Sequence, residues 1–204
     1  MTEARNPAAL LVRVAPLALI CGAVGAAAQP NLDWINRDAI AARQIQVDAE
    51  RGDRPLTVNV RLAAEIDASP AAVWDVLRAC EISPEYVPNV VSCMKLEEID
   101  GGAAELFVQT IKPIFFMPTF EHVFRLDYMP YTRIDVSRVS GPIAHMQGSW
   151  WLLPQASGRI LLVYELALDP GMPIPRFLVR STLKRDLPKV VAAVRDRAEA
   201  APSK

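Results

Sequence analysis

The sequence predicts an α+β fold, a curved antiparallel β-sheet wrapped around a long C-terminal α-helix, with short helices after the first main strand. Three features predict it. An alternating segment, "LTVNVRLAAEI", leads straight into a capped helix. A run of strand-length segments then follows on short breaks, and the chain closes on a long segment with a helical apolar stripe.

Residues 29–56 read as an N-terminal extension with a mixed pattern from Asp33 to Arg51, in which "AARQIQVDAE" fits either a helix or an edge strand, the strand from about Arg43 being favoured. "RGDRP" turns the chain into the first main strand, whose Val58, Val60, Leu62, Ala64 and Ile66 share one face. Ser69 caps the next helix, with Pro70 at its first position and Val73, Trp74 and Leu77 on one side. The helix ends near Cys80. Pro84 and Pro88 in "ISPEYVPN" leave room for no more than a turn before "VVSCMKLEEI" resumes as a strand.

Short breaks then separate "AAELFVQTIK", "TFEHVFRLDY", "YTRIDVSRV", "GSWWLLP" and "RILLVYELAL", the spacing of an antiparallel meander. His145 falls in the break "SGPIAHMQ" and reads as a loop residue. In "RFLVRSTLKRDLPKVVAAVRDRAEA", Leu183, Leu187, Val190, Val191 and Val194 form a helical stripe, and Pro188 inside it predicts a kink. A sheet with one apolar face needs cover, and this helix is the element long enough to provide it.

A chain of 204 residues is long enough for one domain with a substantial core. Lys+Arg 22 against Asp+Glu 23 lacks the basic excess that phosphate neutralisation demands, which argues against a nucleic-acid partner. Residues 1–28 have the zones of a signal peptide: Arg5 and Arg13, an apolar stretch from Val14 to Val24, and small residues ending at Ala28, where cleavage is expected. An uncleaved anchor is the alternative, although the uncharged run is shorter than the roughly 20 residues that span a bilayer. Cys21 follows Ile20 and so does not mark a lipid-modified site.

Export to the periplasm or beyond favours disulfides, and Cys80 and Cys93 are the even pair left once the leader is removed. A bridge between them would contribute on the order of 3 kcal/mol. Two separate buried thiols are the alternative.

Alternation places Phe120, His122, Phe124, Leu126 and Tyr128 on one face of their strand. By the same reasoning Trp150 and Leu152 point inward on the next hairpin, opposite Leu162, Tyr164 and Leu166; Phe107, Trp74 and Phe177 complete an aromatic lining. An ordinary packed core produces the same pattern. His122 is the titratable group on that face, placed to hydrogen-bond a carbonyl or hydroxyl of a bound molecule or to be satisfied within the core. In "PIFFMP", buried side chains would plug one end and put Phe116 in the lining, whereas exposed ones would form a wedge for a bilayer or a partner. Arg176, Arg180, Lys184, Arg185 and Lys189 make a basic rim on the last helix, suited to anionic headgroups or simply to solvent.

The segments "AAEIDASPAAVWDVLRACEISPEYVPNVVSCMKLEE", "GSWWLLPQASGRILLVYELALDPG" and "MPIPRFLVRSTLKRDLPKVVAAVR" resemble the START-like superfamily, also called SRPBCC or helix-grip. Within it they are similar to the polyketide cyclase/dehydrase and coenzyme Q-binding branch, as an exported bacterial member. The likeness runs from about Thr57 to Arg197, which gives a START-like domain over residues 57–200. It implies a hollow between sheet and final helix that holds a lipid, quinone, polyketide or other apolar molecule. Tyr86 and Val87 would then lean into its entrance, along an edge stiffened by the Cys80 to Cys93 bridge.

No nucleophile elbow, zinc-protease, P-loop or dinucleotide-binding motif occurs, and two histidines with two cysteines do not easily assemble a metal site. No catalytic residues, metal or cofactor are therefore assigned. The expectation is binding, with carriage or sequestration, of a hydrophobic small molecule (lipid, isoprenoid or quinone-like), with transient contact to a membrane surface. The alternatives are a cyclase/dehydrase-like enzyme using His122 with Tyr164 for proton transfer, and an envelope interaction protein with a solid interior.

Overall fold

The computed structural model describes residues 29–113 and 118–201; the expected leader over residues 1–28 and the expected lining residue Phe116 lie outside them. After a short helix α1 (Arg37–Ala41), capped by the Asn36 side chain on the amides of Asp38 and Ala39, come β1 (Gln46–Arg51) and β2 (Val58–Ile66). The helix α2 (Pro70–Arg78) starts at Ser69, whose hydroxyl accepts from the Ala72 amide at 3.2 Å. Then follow β3 (Val90–Ile99), β4 (Ala104–Ile111), β5 (Phe120–Met129), β6 (Arg133–Ser140), β7 (His145–Pro154), β8 (Ile160–Asp169) and the 25-residue α3 (Arg176–Ala200).

All eight strands form one antiparallel sheet in the order β1-β2-β8-β7-β6-β5-β4-β3. The sheet is curved and unclosed, with α3 across its concave face, which is the α+β architecture that the sequence predicts. Because β2 and β3 are consecutive in the chain yet lie near opposite edges, their connection has to cross the sheet. That connection is α2 with a 3₁₀ helix over Cys80–Glu85. The sequence reading allowed only a turn there. Pro84 is tolerated because the short helix closes on carbonyls of Ala79 and Ser83 through the amides of Ile82, Tyr86 and Val87.

Two apolar clusters flank the sheet. On the concave side Val58, Val60, Leu62, Ala64 and Ile66 pack with Phe107, Phe124, Leu152, Leu162, Trp74 and, from α3, Val191 and Val194. On the convex side Ile35 and Ile40 of the N-terminal segment cover Ala63, Trp151, Leu161 and Val163, with Leu32 and Trp34 against them. Burial on both faces explains why β8 opens on the continuous run "ILLVY" instead of an alternation. Each such side chain, fully removed from water, contributes roughly 1.5–3 kcal/mol.

α3 is continuous through Pro188 and is held unevenly. Its second half buries Val190, Val191, Val194 and Ala198 and is tied down by polar contacts: Arg197 to Glu85 at 3.0 Å, Glu199 to Arg43 at 2.7 Å, and Glu199 to the Asp67 amide at 2.8 Å. Its first half buries only Val179 and Asp186 before Pro188. Phe177 and Leu178 there are exposed.

Cys80 and Cys93 are joined in a disulfide, with Cα atoms 5.6 Å apart, binding the 3₁₀ helix to the edge strand β3. The 13-residue separation makes the cross-link worth about 3 kcal/mol through the restricted unfolded chain. A Cys80→Ser/Cys93→Ser variant should lose about that much unfolding free energy in urea; unchanged stability would contradict the account.

Candidate functional site

Between the concave face, the 3₁₀ helix and the second half of α3 lies a hollow of about 180 Å³. β5 contributes His122, Phe124 and Leu126 at alternate positions; β7 and β8 contribute Trp150 and Tyr164, cross-strand partners whose rings stack at 3.8 Å and 12°. Tyr86 and Val87 border it from the crossing connection, and Val190 and Val194 from α3. Tyr86, Val87, Gln109 and Met146 are half-buried, so solvent reaches the hollow.

Its polar groups are few and under-used. His122, 3% exposed, places Nε2 3.1 Å from Gln109 Oε1, its cross-strand neighbour, and leaves Nδ1 with no partner. Ser83 Oγ is likewise buried without a partner. Burial lowers the His122 pKa to about 4 and raises that of Tyr164, so both are neutral near pH 7. No Asp, Glu, Lys or Arg lines the hollow among the described residues. Gly141, at φ 106, supports His122 from the β6–β7 connection: a Cβ there would come 2.7 Å from His122 Cα.

Five of the ten residues expected to line a cavity, Tyr86, His122, Phe124, Trp150 and Tyr164, come together here. Of the other expected lining residues, Phe116 lies outside the described residues, and Trp74, Phe107, Phe120 and Phe177 do not border the hollow. Trp74 is buried at the α2 end, its ring 5.6 Å from those of Tyr128 and Tyr131. Phe107 stacks on Phe124 at 5.7 Å, one layer away, and half-buried Phe120 sits 6.5 Å from the His122 ring. Phe177 is 66% exposed and points away from the core, which corrects its inward assignment. His145 is the first residue of β7, not a loop residue, with Nδ1 3.3 Å from Arg54 Nη1.

The sequence reading missed Ser83 and Gln109, and it missed a buried carboxylate. Glu105, 2% exposed, receives Tyr128 Oη at 2.5 Å, Arg78 Nη2 at 3.0 Å and Lys95 Nζ at 3.2 Å. Burial would raise its pKa, but the Tyr128 and Lys95 hydrogen bonds and the Arg78 charge together hold it below the usual range. The inward alternation Glu105, Phe107, Gln109 was the available signal. A larger groove of about 320 Å³ lies on the convex face between β1 and β7, but Asp48, Glu50, Arg61 and Glu165 make it suited to water rather than to an apolar guest. Among the described residues no group of three or more His, Cys, Asp or Glu is placed to hold a metal ion.

Because the folded-state pKa of His122 is about 4, against 6.5 for the free side chain, its neutral form favours folding above about pH 6.5. That stabilisation, up to about 3 kcal/mol, is lost as pH falls through about 4. Urea unfolding between pH 7 and 4 should show wild type losing more stability than His122→Phe by that margin; parallel curves would contradict it.

Comparison with known proteins agrees with this fold. No curated protein matches the sequence. A STAR-related lipid transfer protein from Xanthomonas axonopodis superposes with a TM-score of 0.66 at 19% identity, over 76% of this chain and 93% of that one. The Zhui aromatase/cyclase from a Streptomyces species gives 0.60 at 19% identity, over 72% and 99%. Human STARD10 gives 0.63 at 14% identity, over 76% and 69%. At these identities the likeness is one of fold. Residues 66–195, most of the chain, match the family model itself, and the protein therefore belongs to the family described as polyketide cyclase / dehydrase and lipid transport, with a START-like helix-grip fold.

Proposed function

We propose that the protein binds a hydrophobic small molecule (a lipid, isoprenoid or quinone-like compound) in the hollow and carries or sequesters it outside the cytoplasm. The observation that carries this reading is an uncharged, aromatic-lined space of about 180 Å³ that reaches solvent and whose lining residues include His122 and Ser83, each with a buried polar atom without a partner. Ligand sites combine apolar walls with a few placed polar groups in this way. The lipid transfer protein and the aromatase/cyclase among the structural neighbours are consistent with such a guest. The disulfide and the leader-like residues 1–28 support an exported location.

Size bears on how a guest enters. A dry cavity of roughly 150 Å³ holds a benzene-sized molecule, so the closed form accommodates about one or two rings. A longer lipid requires the lightly held first half of α3 to swing away, with Pro188 as the point of bending. By register, Met146 pairs with Leu168 and Leu168 with Val58, and Val58 shares a groove with Phe177, so the start of α3 lies at the same end of the sheet as this side of the hollow. Exposed Phe177 and Leu178, beside Arg176 and Arg180, give that first turn the composition of a membrane-interface contact. Arg185 and Lys189 are instead paired with Asp186.

Carriage is favoured over catalysis by the same physical chemistry. A histidine with a pKa of about 4 is a weak base at neutral pH, and a tyrosine raised by burial is a weak acid.

Protein isolated from the envelope of its own cell should carry a hydrophobic molecule detectable by native mass spectrometry, and Val87→Trp, which fills the entrance, should lack it. Empty wild-type protein that also takes up no fluorescent acyl probe would overturn the proposal. In hydrogen exchange, amides before Pro188 in α3 should exchange at least about tenfold faster than those after it, since few buried contacts hold them; uniform protection along α3 would rule out the moving half-helix.

A further inference from the structure

The lining chemistry narrows the guest. Resting on the reading of the hollow as a ligand site, we infer that its guest is an uncharged molecule bearing a hydroxyl, which donates to His122 Nδ1, on an apolar body of about one or two rings in the closed form.

Charge is excluded first. Among the described residues fifteen line the hollow, and none is Asp, Glu, Lys or Arg. A carboxylate or phosphate entering it would surrender its hydration with no counter-ion, at a cost far above what its apolar tail recovers by burial. Three cations of neighbouring elements are committed elsewhere: Arg78 and Lys95 serve Glu105, and Arg197 lies over the Tyr86 ring and pairs with Glu85. Free fatty acids and phosphorylated isoprenoids therefore fit poorly, whereas alcohols, phenols and quinols are compatible.

The polar group is fixed next. Gln109 presents Oε1 to His122 Nε2 at 3.1 Å, so Nε2 carries the ring proton and Nδ1 presents a lone pair. A group that only accepts, such as an ether or an ester, leaves that buried lone pair unsatisfied, while a hydroxyl satisfies it. Ser83 Oγ, also without a partner, adds a hydroxyl able to donate to a second oxygen of the guest. An unsatisfied buried acceptor costs on the order of tenfold in binding or more.

Three fluorescent probes of one size separate the possibilities: 2-naphthol, 2-methoxynaphthalene and 2-naphthoate, titrated at pH 7 into the full folded protein. 2-Naphthol should bind at least about tenfold better, relative to 2-methoxynaphthalene, in wild type than in His122→Phe. 2-Naphthoate should bind at least about 100-fold more weakly than 2-naphthol. His122→Phe keeps an aromatic ring of similar size, and its retained binding of 2-methoxynaphthalene reports that the hollow is intact. Comparable binding of 2-naphthoate, or a naphthol-to-ether ratio unchanged by His122→Phe, overturns the inference while leaving a ligand-binding hollow in place. Failure of wild type to bind any of the three overturns the ligand-site reading along with it.

Discussion

One mismatch of dimensions underlies the structure. Eight hydrogen-bonded strands at roughly 4.8 Å spacing make a sheet about 34 Å across, and its concave face is apolar along most strands. A single helix is about 10–12 Å wide with its side chains. α3 alone does not cover that face. The curvature of the sheet and the crossing connection of α2 with the 3₁₀ helix reduce the gap without closing it. What remains is the hollow, a consequence of topology before any residue in it is chosen.

The two ends of the concave face meet this mismatch differently. At the α2 end, beside an open groove of about 250 Å³, a charge is buried: Glu105 is satisfied by Tyr128, Arg78 and Lys95, with the Arg78 guanidinium also 4.6 Å over the Tyr128 ring. Such a network adds little net stability, because desolvation offsets attraction and Arg78 and Lys95 remain partly in water. It does fix the register of β4 against β5 and α2, since a one-residue slip would strand a buried carboxylate. At the other end the polar atoms are neutral and two of them, in His122 and Ser83, go without partners. One end meets its buried charge with its own side chains; the other leaves buried polar atoms without partners.

Much of this was legible in the sequence because strands report their faces directly. A period of two assigned His122, Phe124, Leu126 and Tyr128 to one side without further information, and the same pattern set Trp150 opposite Tyr164. The helix was harder. Phe177 lies two residues before Val179, about 200° away around a helix of 3.6 residues per turn, so a stripe anchored on Val179, Leu183 and Leu187 excludes it; the sequence reading took its aromatic character as a sign of burial. Ser83 and Gln109 were missed for a different reason. Their importance lies in what they fail to bond or in what they face across the sheet, and neither is a property of local sequence. His145 was misplaced because the glycine and proline of its break lie several residues before the strand begins, and strand ends are set by pairing, here with Asp169.

The central claim is that the concave face holds a real, apolar vacancy. Xenon tests it most directly, since it settles in apolar vacancies of this size and not in packed interiors. Crystals pressurised with xenon should show an atom among His122, Trp150, Tyr164 and Val194. Interlocked side chains at that position, leaving no room for xenon, would contradict the account.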